Sequence, residues 1–189
     1  MLANPAEFFR VVRNQLFRGD MTQSHVDGTN ALLSAWEHND IRWVAYALAT
    51  AYHETDYTMQ PIAEYGHGRG LAYGVPTGPN GQVYYGRGYV QLTWRHNYAR
   101  ADAEIPGFDL VTHPDNAMKP GVAAVIMVRG MVEGWFTGLK LENYFPLHNP
   151  KFADWLNARR IVNGLDCAAR IALYGQHFRD ALEQGGYAQ

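Results

Sequence analysis

Along most of the chain, apolar residues recur at helical spacing; in one long stretch that period disappears. Asn4-Pro5-Ala6-Glu7 reads as a helix start, with an Asn cap, Pro at the first helical position and Glu three residues after the cap. Phe8, Val11, Val12 and Leu16 then fall on one face, and Gly19 ends the element. A second helix is predicted from Thr22 to Asn39, with Val26, Leu33 and Trp36 inward and Gly28 as a weak point. Asn39-Asp40 caps a third, from Ile41 to about His53. Ile41, Val44, Ala45, Leu48 and Tyr52 keep its period, while Ala47, Ala49 and Ala51 make its other side apolar too, which marks a central, buried helix. Thr93 is expected to cap a helix to about Ala103, and Lys119-Pro120 to open a nearly all-apolar one reaching Trp135. Asn149-Pro150 caps a helix over Lys151–Val162, and Asp166 caps the last, ending near Gln184 before Gly185-Gly186.

Residues 66–88 break the pattern. Eight glycines with Pro76 and Pro79 exclude a helix there and predict loops with short hairpin strands, such as Gln82–Tyr85. Tyr65, Tyr73, Tyr84, Tyr85 and Tyr89 in and around it are too many aromatics for a linker. The total is about seven helices and one small Gly-rich β region, with a lobe boundary near residues 55–90 and no βαβ alternation.

A chain of 189 residues fits one domain with a core of its own. A net charge of -2 offers no broad basic field for nucleic acid or an anionic membrane. The single Cys167 excludes an internal disulfide, and its alignment with Ile171, Tyr174 and Phe178 predicts a buried, inert thiol. The first residues lack the pattern of a signal peptide, and no run of 18 apolar residues occurs. A substrate outside the cytoplasm would then require another route of export.

The candidate chemistry lies in Ala45–Tyr65, AYALATAYHETDYTMQPIAEY, which begins as the apolar helix and ends in a polar segment. Glu54 arrives at the helix C-terminus, whose partial negative charge and apolar surroundings both disfavour an ionised carboxylate, as a general acid requires. Glu64, ten residues on in an open segment, is expected to stay ionised. Two carboxylates in contrasting environments are what glycoside hydrolysis uses, one protonating the leaving oxygen and the other activating water. On residue types alone, a solvated structural pair fits the pattern equally well.

Other motifs fail. His53-Glu54 lacks the HExxH of zinc proteases because Tyr57 stands where the second His belongs, and the remaining histidines show no ligand spacing, so no metal or cofactor is expected. Gly66-His67-Gly68-Arg69-Gly70 lacks the Lys-Ser/Thr of a phosphate loop. Thr93 and Asn97, four apart, are placed on one helix face, where a hydroxyl and an amide could hold a water or an N-acetyl group.

Three blocks together carry a resemblance: AYHET, then YYGRGYVQLTWRHNY, then RIVNGLDCAARIALY, spanning about residues 40–180. In order and spacing they resemble glycoside hydrolase family 19, the chitinase-type family that also includes phage and prophage endolysins. The resemblance implies a mainly α, two-lobed lysozyme-like fold with a small Gly-rich β-hairpin beside the cleft, in a single catalytic domain over 1–189 without a separate wall-binding domain. It implies Glu54 as general acid, Glu64 as general base and Thr93 as the residue helping to position water. It also implies His53, Tyr85, Gln91, Asn97 and Asn163 as substrate-binding positions and Arg170 as the arginine interacting with the catalytic carboxylates. The implied mechanism is inverting, with carboxyl groups roughly 6.5–9.5 Å apart. The chain departs from the family in three places: His53-Glu54-Thr55-Asp56-Tyr57 replaces HETGG, Glu64 follows Glu54 more closely than in the plant enzymes, and VNGLD replaces INGGLE.

The Pro61–Gly66 context of Glu64 is similar to the endolysin branch. The expectation is therefore an endolysin acting on the glycan strands of peptidoglycan. It would be a monomer, waiting in the host cytoplasm and reaching the wall through a holin. The alternatives are a chitinase and an inactive glycan-binding module.

Overall fold

The apolar helix of the Glu54 segment is the centre of the molecule. In a computed structural model, which describes residues 2–36, 40–145 and 150–188, it is α3, Ile41–Glu54, and everything from Val44 to Tyr52 is buried. It packs along α7, Ala168–Gln184, and α1 (Pro5–Gln15) and α6 (Phe152–Asn157) pack on the same helix. A second group is formed by α2 (Gln23–Ser34) on α5 (Pro120–Glu133), with α5 also supporting the hairpin of β1 (Ile62–Ala63) and β2 (Arg87–Gly88). α4, Arg95–Glu104, follows the hairpin. Short 3-10 turns at Ala72–Gly74, Pro114–Met118, Leu141–Asn143 and Ala158–Ile161 complete the order. One continuous apolar core runs through both groups. No helix among the described residues is long and apolar enough to cross a membrane.

The helix starts show which local signals were decisive. Asn4 accepts from the Glu7 amide at 3.2 Å, as its sequence predicts. Thr22 caps α2, and His25 closes a reciprocal box by accepting from the Thr22 amide at 3.0 Å. α2 ends at Ser34 and fully buries Gly28, Thr29 and Leu32; the expected Val26, Leu33 and Trp36 are half-buried, Leu33 and Trp36 packing against the core. Asp40 accepts from the Arg42 amide at the head of α3; the Asn39 and Asn149 caps lie outside the described residues.

Five further expectations are corrected. The paired strands are not at Gln82–Tyr85: Ile62 pairs with Gly88 and Ala63 with Arg87, antiparallel. The carbonyls of Val83 and Tyr85 are taken by the Arg87 guanidinium and that of Tyr84 by the Trp94 amide, leaving no ladder for a strand. Trp94, not Thr93, occupies the cap position of α4, and Cys167, not Asp166, that of α7. At that cap position, in left-handed backbone, the Cys167 thiol is exposed rather than buried. Finally, the segment over 151–162 is α6 followed by a 3-10 turn, which rotates its last residues relative to a continuous helix.

Gly28 is a packing requirement, not a weak point. A Cβ there would lie 1.6 Å from the Met59 carbonyl oxygen, so the chain leaving α3 crosses α2 at a position only glycine permits. Gly28→Ala is therefore expected to lower the melting temperature by roughly 3–10 °C, from ~1–3 kcal/mol of overpacking. Helix propensity alone would raise stability by ~1 kcal/mol. A thermal melt decides the sign.

Candidate active site

Glu54 is the last residue of α3, and the chain turns away at once. Asp56, Tyr57 and Met59 all take left-handed backbone. The buried Thr55 fixes this exit, its hydroxyl donating to the Ala51 carbonyl at 2.8 Å and accepting from the Met59 amide at 3.1 Å. The Glu54 side chain does not stand among apolar groups alone, as its helix predicted. Its Oε1 accepts from Arg159 Nη1 at 2.5 Å, and Arg159 is 2% exposed. The same guanidinium donates to the Asp166 carbonyl at 3.2 Å and approaches its carboxylate at 3.4 Å. One buried cation thus ties the end of α3 to the loop before α7. Its charge offsets the helix terminus and the desolvation that bear on Glu54.

The arginine that meets Glu54 is therefore Arg159 and not Arg170. Arg170 lies exposed in the first turn of α7 and forms no ion pair among the described residues. It contributes only as one of several charges near His53. His53, one residue before the acid, has its Nδ1 buried with no partner among the described residues. Burial holds its pKa below the usual 6.5, with the Glu54 charge partly opposing that shift.

Glu64 is positioned by the hairpin. It directly follows β1, and its amide donates to the Gly86 carbonyl at 2.7 Å. Its two carboxylate oxygens accept separately, Oε1 from the Tyr73 hydroxyl at 2.7 Å and Oε2 from the Gly86 amide at 3.0 Å. The bond to Glu64 raises the Tyr73 pKa to about 12, so Tyr73 remains a donor throughout the neutral range. Gly86 is needed for this approach, since a Cβ there would lie 2.8 Å from Gln91 Oε1 and 3.3 Å from Glu64 Cβ.

Gln91, placed by sequence among the substrate-binding residues, braces the hairpin: its amide donates to the Ile62 carbonyl at 3.0 Å and the Gly88 carbonyl at 3.3 Å. It also lines a cavity of about 110 Å³ together with Thr93, Asn97, Phe136 and Val162. Thr93 and Asn97 are brought together there, although Thr93 precedes α4 instead of sharing its face. Asn97 donates to the Thr93 carbonyl at 2.9 Å. That leaves the Thr93 hydroxyl and Asn97 Oδ1 without a partner among the described residues. Asn163 follows Val162 in the chain; it is exposed and accepts from the Gly164 amide at 2.8 Å.

Tyr85 differs from its expected use. The Arg87 guanidinium lies 3.5 Å from its ring centroid, and His67 stacks on it at 4.5 Å with planes 9° apart. Two groups so close cannot share a face, so both ring faces are covered and only the ring edge and hydroxyl are left for a ligand. Arg87 itself is 4% exposed and bonds Asp115, the Tyr98 hydroxyl and two backbone carbonyls, which locks the loop behind Glu64. No group of three or more His, Cys, Asp or Glu side chains among the described residues is arranged to hold a metal.

Sequence reasoning missed Arg159, Tyr73 and Arg87. Arg159 had a signal: it stands four residues after Trp155 on the face that also carries Ala158 and Val162, so its side chain points inward. Tyr73 sits among glycines, where no period exists to place it.

No family model matches the chain, and no curated protein matches it. Solved structures do. Chitinase C from Streptomyces griseus HUT6037 aligns over 97% of this chain and 78% of its own with a TM-score of 0.63 at 21% identity. The family 19, class IV chitinase from Zea mays aligns over 97% and 92% with a TM-score of 0.60 at 19% identity. A bacterial family 19 chitinase aligns over 100% and 97% with a TM-score of 0.54 at 21% identity. At these identities the likeness establishes the fold: a mainly helical, lysozyme-like chitinase fold with a two-stranded hairpin.

Two outcomes are expected of the acid side. Arg159→Met leaves Glu54 half-buried without its counter-charge and is expected to cost about 3 kcal/mol, the low end for a broken buried pair because Glu54 keeps some solvent contact. Arg170→Ala is expected to change stability by no more than ~0.5 kcal/mol. Chemical denaturation of both variants checks the contrast. His53 gives a pH signature. Its folded pKa lies below its unfolded value of 6.5, so its contribution to stability is complete above 6.5 and is lost as pH falls through that value toward the folded one. The melting temperature of the wild type is expected to fall more steeply than that of His53→Gln between about pH 7 and 5.5.

Proposed function

We propose that this protein is a glycoside hydrolase of the family 19 type that cleaves β-1,4 bonds in the glycan strands of peptidoglycan with inversion, as a phage or prophage endolysin. The observation that carries the reading is the pair of carboxylates held in opposite ways. Glu54 rests against a buried guanidinium, while Glu64 is suspended between a hydroxyl and a backbone amide.

In this reading Glu54 protonates the glycosidic oxygen, and the carboxylate it becomes is received by Arg159. Its neighbour His53, held toward its neutral form by burial, adds no second cation. Glu64 accepts the proton of the attacking water. Each of its oxygens takes one protein hydrogen bond and retains a lone pair for that water. The unpartnered Thr93 hydroxyl and Asn97 carbonyl, in the cavity that also includes Gln91, serve to orient the water or a sugar N-acetyl group. An inverting route uses a water activated by Glu64 and needs no covalent intermediate.

Peptidoglycan is preferred because Pro61–Gly66, which carries Glu64, is similar to the endolysin branch of the family. The lytic role places the protein in the host cytoplasm as a monomer, with a holin admitting it to the wall. The structural neighbours are chitinases, which gives a second reading, chitin. Release of reducing ends from purified peptidoglycan and from colloidal chitin separates the two. Faster release from peptidoglycan, with lysis of permeabilised Gram-negative cells, is expected; chitin cleavage without lysis would overturn the endolysin role. Glu54→Gln is expected to lower the rate by at least ~10³-fold while glycan binding persists. An unchanged rate would remove Glu54 from the mechanism.

A further inference from the structure

Tyr73, which bonds Glu64, also lines a second cavity, about 320 Å³, that the mechanism above does not use. Its walls include Tyr73, Val75, Trp94, Arg95 and His96. Tyr73 is the shared wall: its hydroxyl serves Glu64 while its ring meets Trp94 edge-on at 5.4 Å. Trp94 is 42% exposed, and it is held there by backbone: its amide donates to the Tyr84 carbonyl at 2.9 Å. A large aromatic kept in solvent by its own backbone offers a flat apolar floor.

Two basic side chains stand beside that floor. Six arginines, Arg10, Arg42, Arg87, Arg129, Arg159 and Arg179, are in ion pairs, and Arg95 is among the seven that have none among the described residues. Arg95, exposed at the edge of the cavity, has no ion pair or hydrogen bond among the described residues. His96 makes only a ring contact with Trp94, at 6.3 Å. A neutral polysaccharide has no group for a free guanidinium to pair with. A substrate with carboxylates on a flexible branch has one, and Arg is suited to bind it in two-point fashion.

We propose that this cavity is a subsite for the carboxylate-bearing peptide branch of a peptidoglycan strand: the lactyl-peptide arm lies on Tyr73 and Trp94 and its carboxylate pairs with Arg95, with His96 beside it. The proposal rests on the peptidoglycan reading and adds that the enzyme recognises the branch as well as the sugar backbone. Because Tyr73 joins the cavity to Glu64, the recognised branch belongs to a sugar next to the bond being cleaved.

The test compares glycan strands bearing stem peptides with the same strands stripped by an amidase and then amidated at the lactyl carboxylate that the amidase frees, using wild type and Arg95→Glu, with a thermal melt to verify folding. A charge-assisted hydrogen bond contributes about 1.5–3 kcal/mol, so wild type is expected to prefer peptide-bearing strands by about tenfold or more in kcat/KM. In Arg95→Glu that ratio is expected to fall to about one, through KM on the peptide-bearing strands. Equal rates on both strands in wild type, or a ratio that Arg95→Glu leaves unchanged, would overturn the subsite while the peptidoglycan activity stands. Cleavage of chitin oligomers with neither strand touched would overturn the peptidoglycan reading and the subsite with it.

Discussion

A guanidinium that is 2% exposed must be paired, because removing an unpaired charge from water costs several kcal/mol. Arg159 meets that constraint with Glu54 on one side and Asp166 on the other. The consequence is structural as well as chemical. α3 brings the acid to its own C-terminus, where neither the helix dipole nor the apolar neighbours stabilise a carboxylate. The buried cation makes that placement tolerable and at the same time anchors the segment between α6 and α7. The place of the Glu54 carboxylate is thus set by one ion pair, beside the apolar packing of α3 on α7.

Glu64 is held by a different rule. β1 and β2 are two residues each, too short to be stable as a hairpin in isolation. They persist because a second buried arginine, Arg87, occupies the loop carbonyls that a longer strand would have paired and stacks on Tyr85. Gln91 bonds the backbone of both strands. The result is a rigid cradle in which Gly86 admits Glu64 at contact distance and Tyr73 closes over its other oxygen. One carboxylate is held by a buried charge and the other by neutral donors.

Much of this was legible in the chain. The apolar run from Ile41 to Tyr52 announced a central helix, and the Asn4 and Asp40 caps lie where short polar side chains precede an apolar period. The Gly-rich stretch was readable as irregular, but its internal geometry was not, because it depends on where the Arg87 side chain goes and no local period encodes that. The caps at Thr93 and Asp166 were also misread. Asp166 is drawn to the buried Arg159, which outweighed its local capping preference, while nothing in the structure explains why the Thr93 hydroxyl does not cap α4. Arg170 matched its motif in sequence, yet the geometry at the acid is made by Arg159, eleven positions earlier, on the inward face of a short helix and turn.

The central claim is that Glu54 and Glu64 act on opposite faces of the sugar, as acid and base, with water attacking directly. Proton NMR of the first product, recorded before mutarotation, tests it most directly. Cleavage of a β-1,4 bond is expected to release the α-anomer first. Initial release of the β-anomer would mean a retaining route and would contradict the roles given to both glutamates.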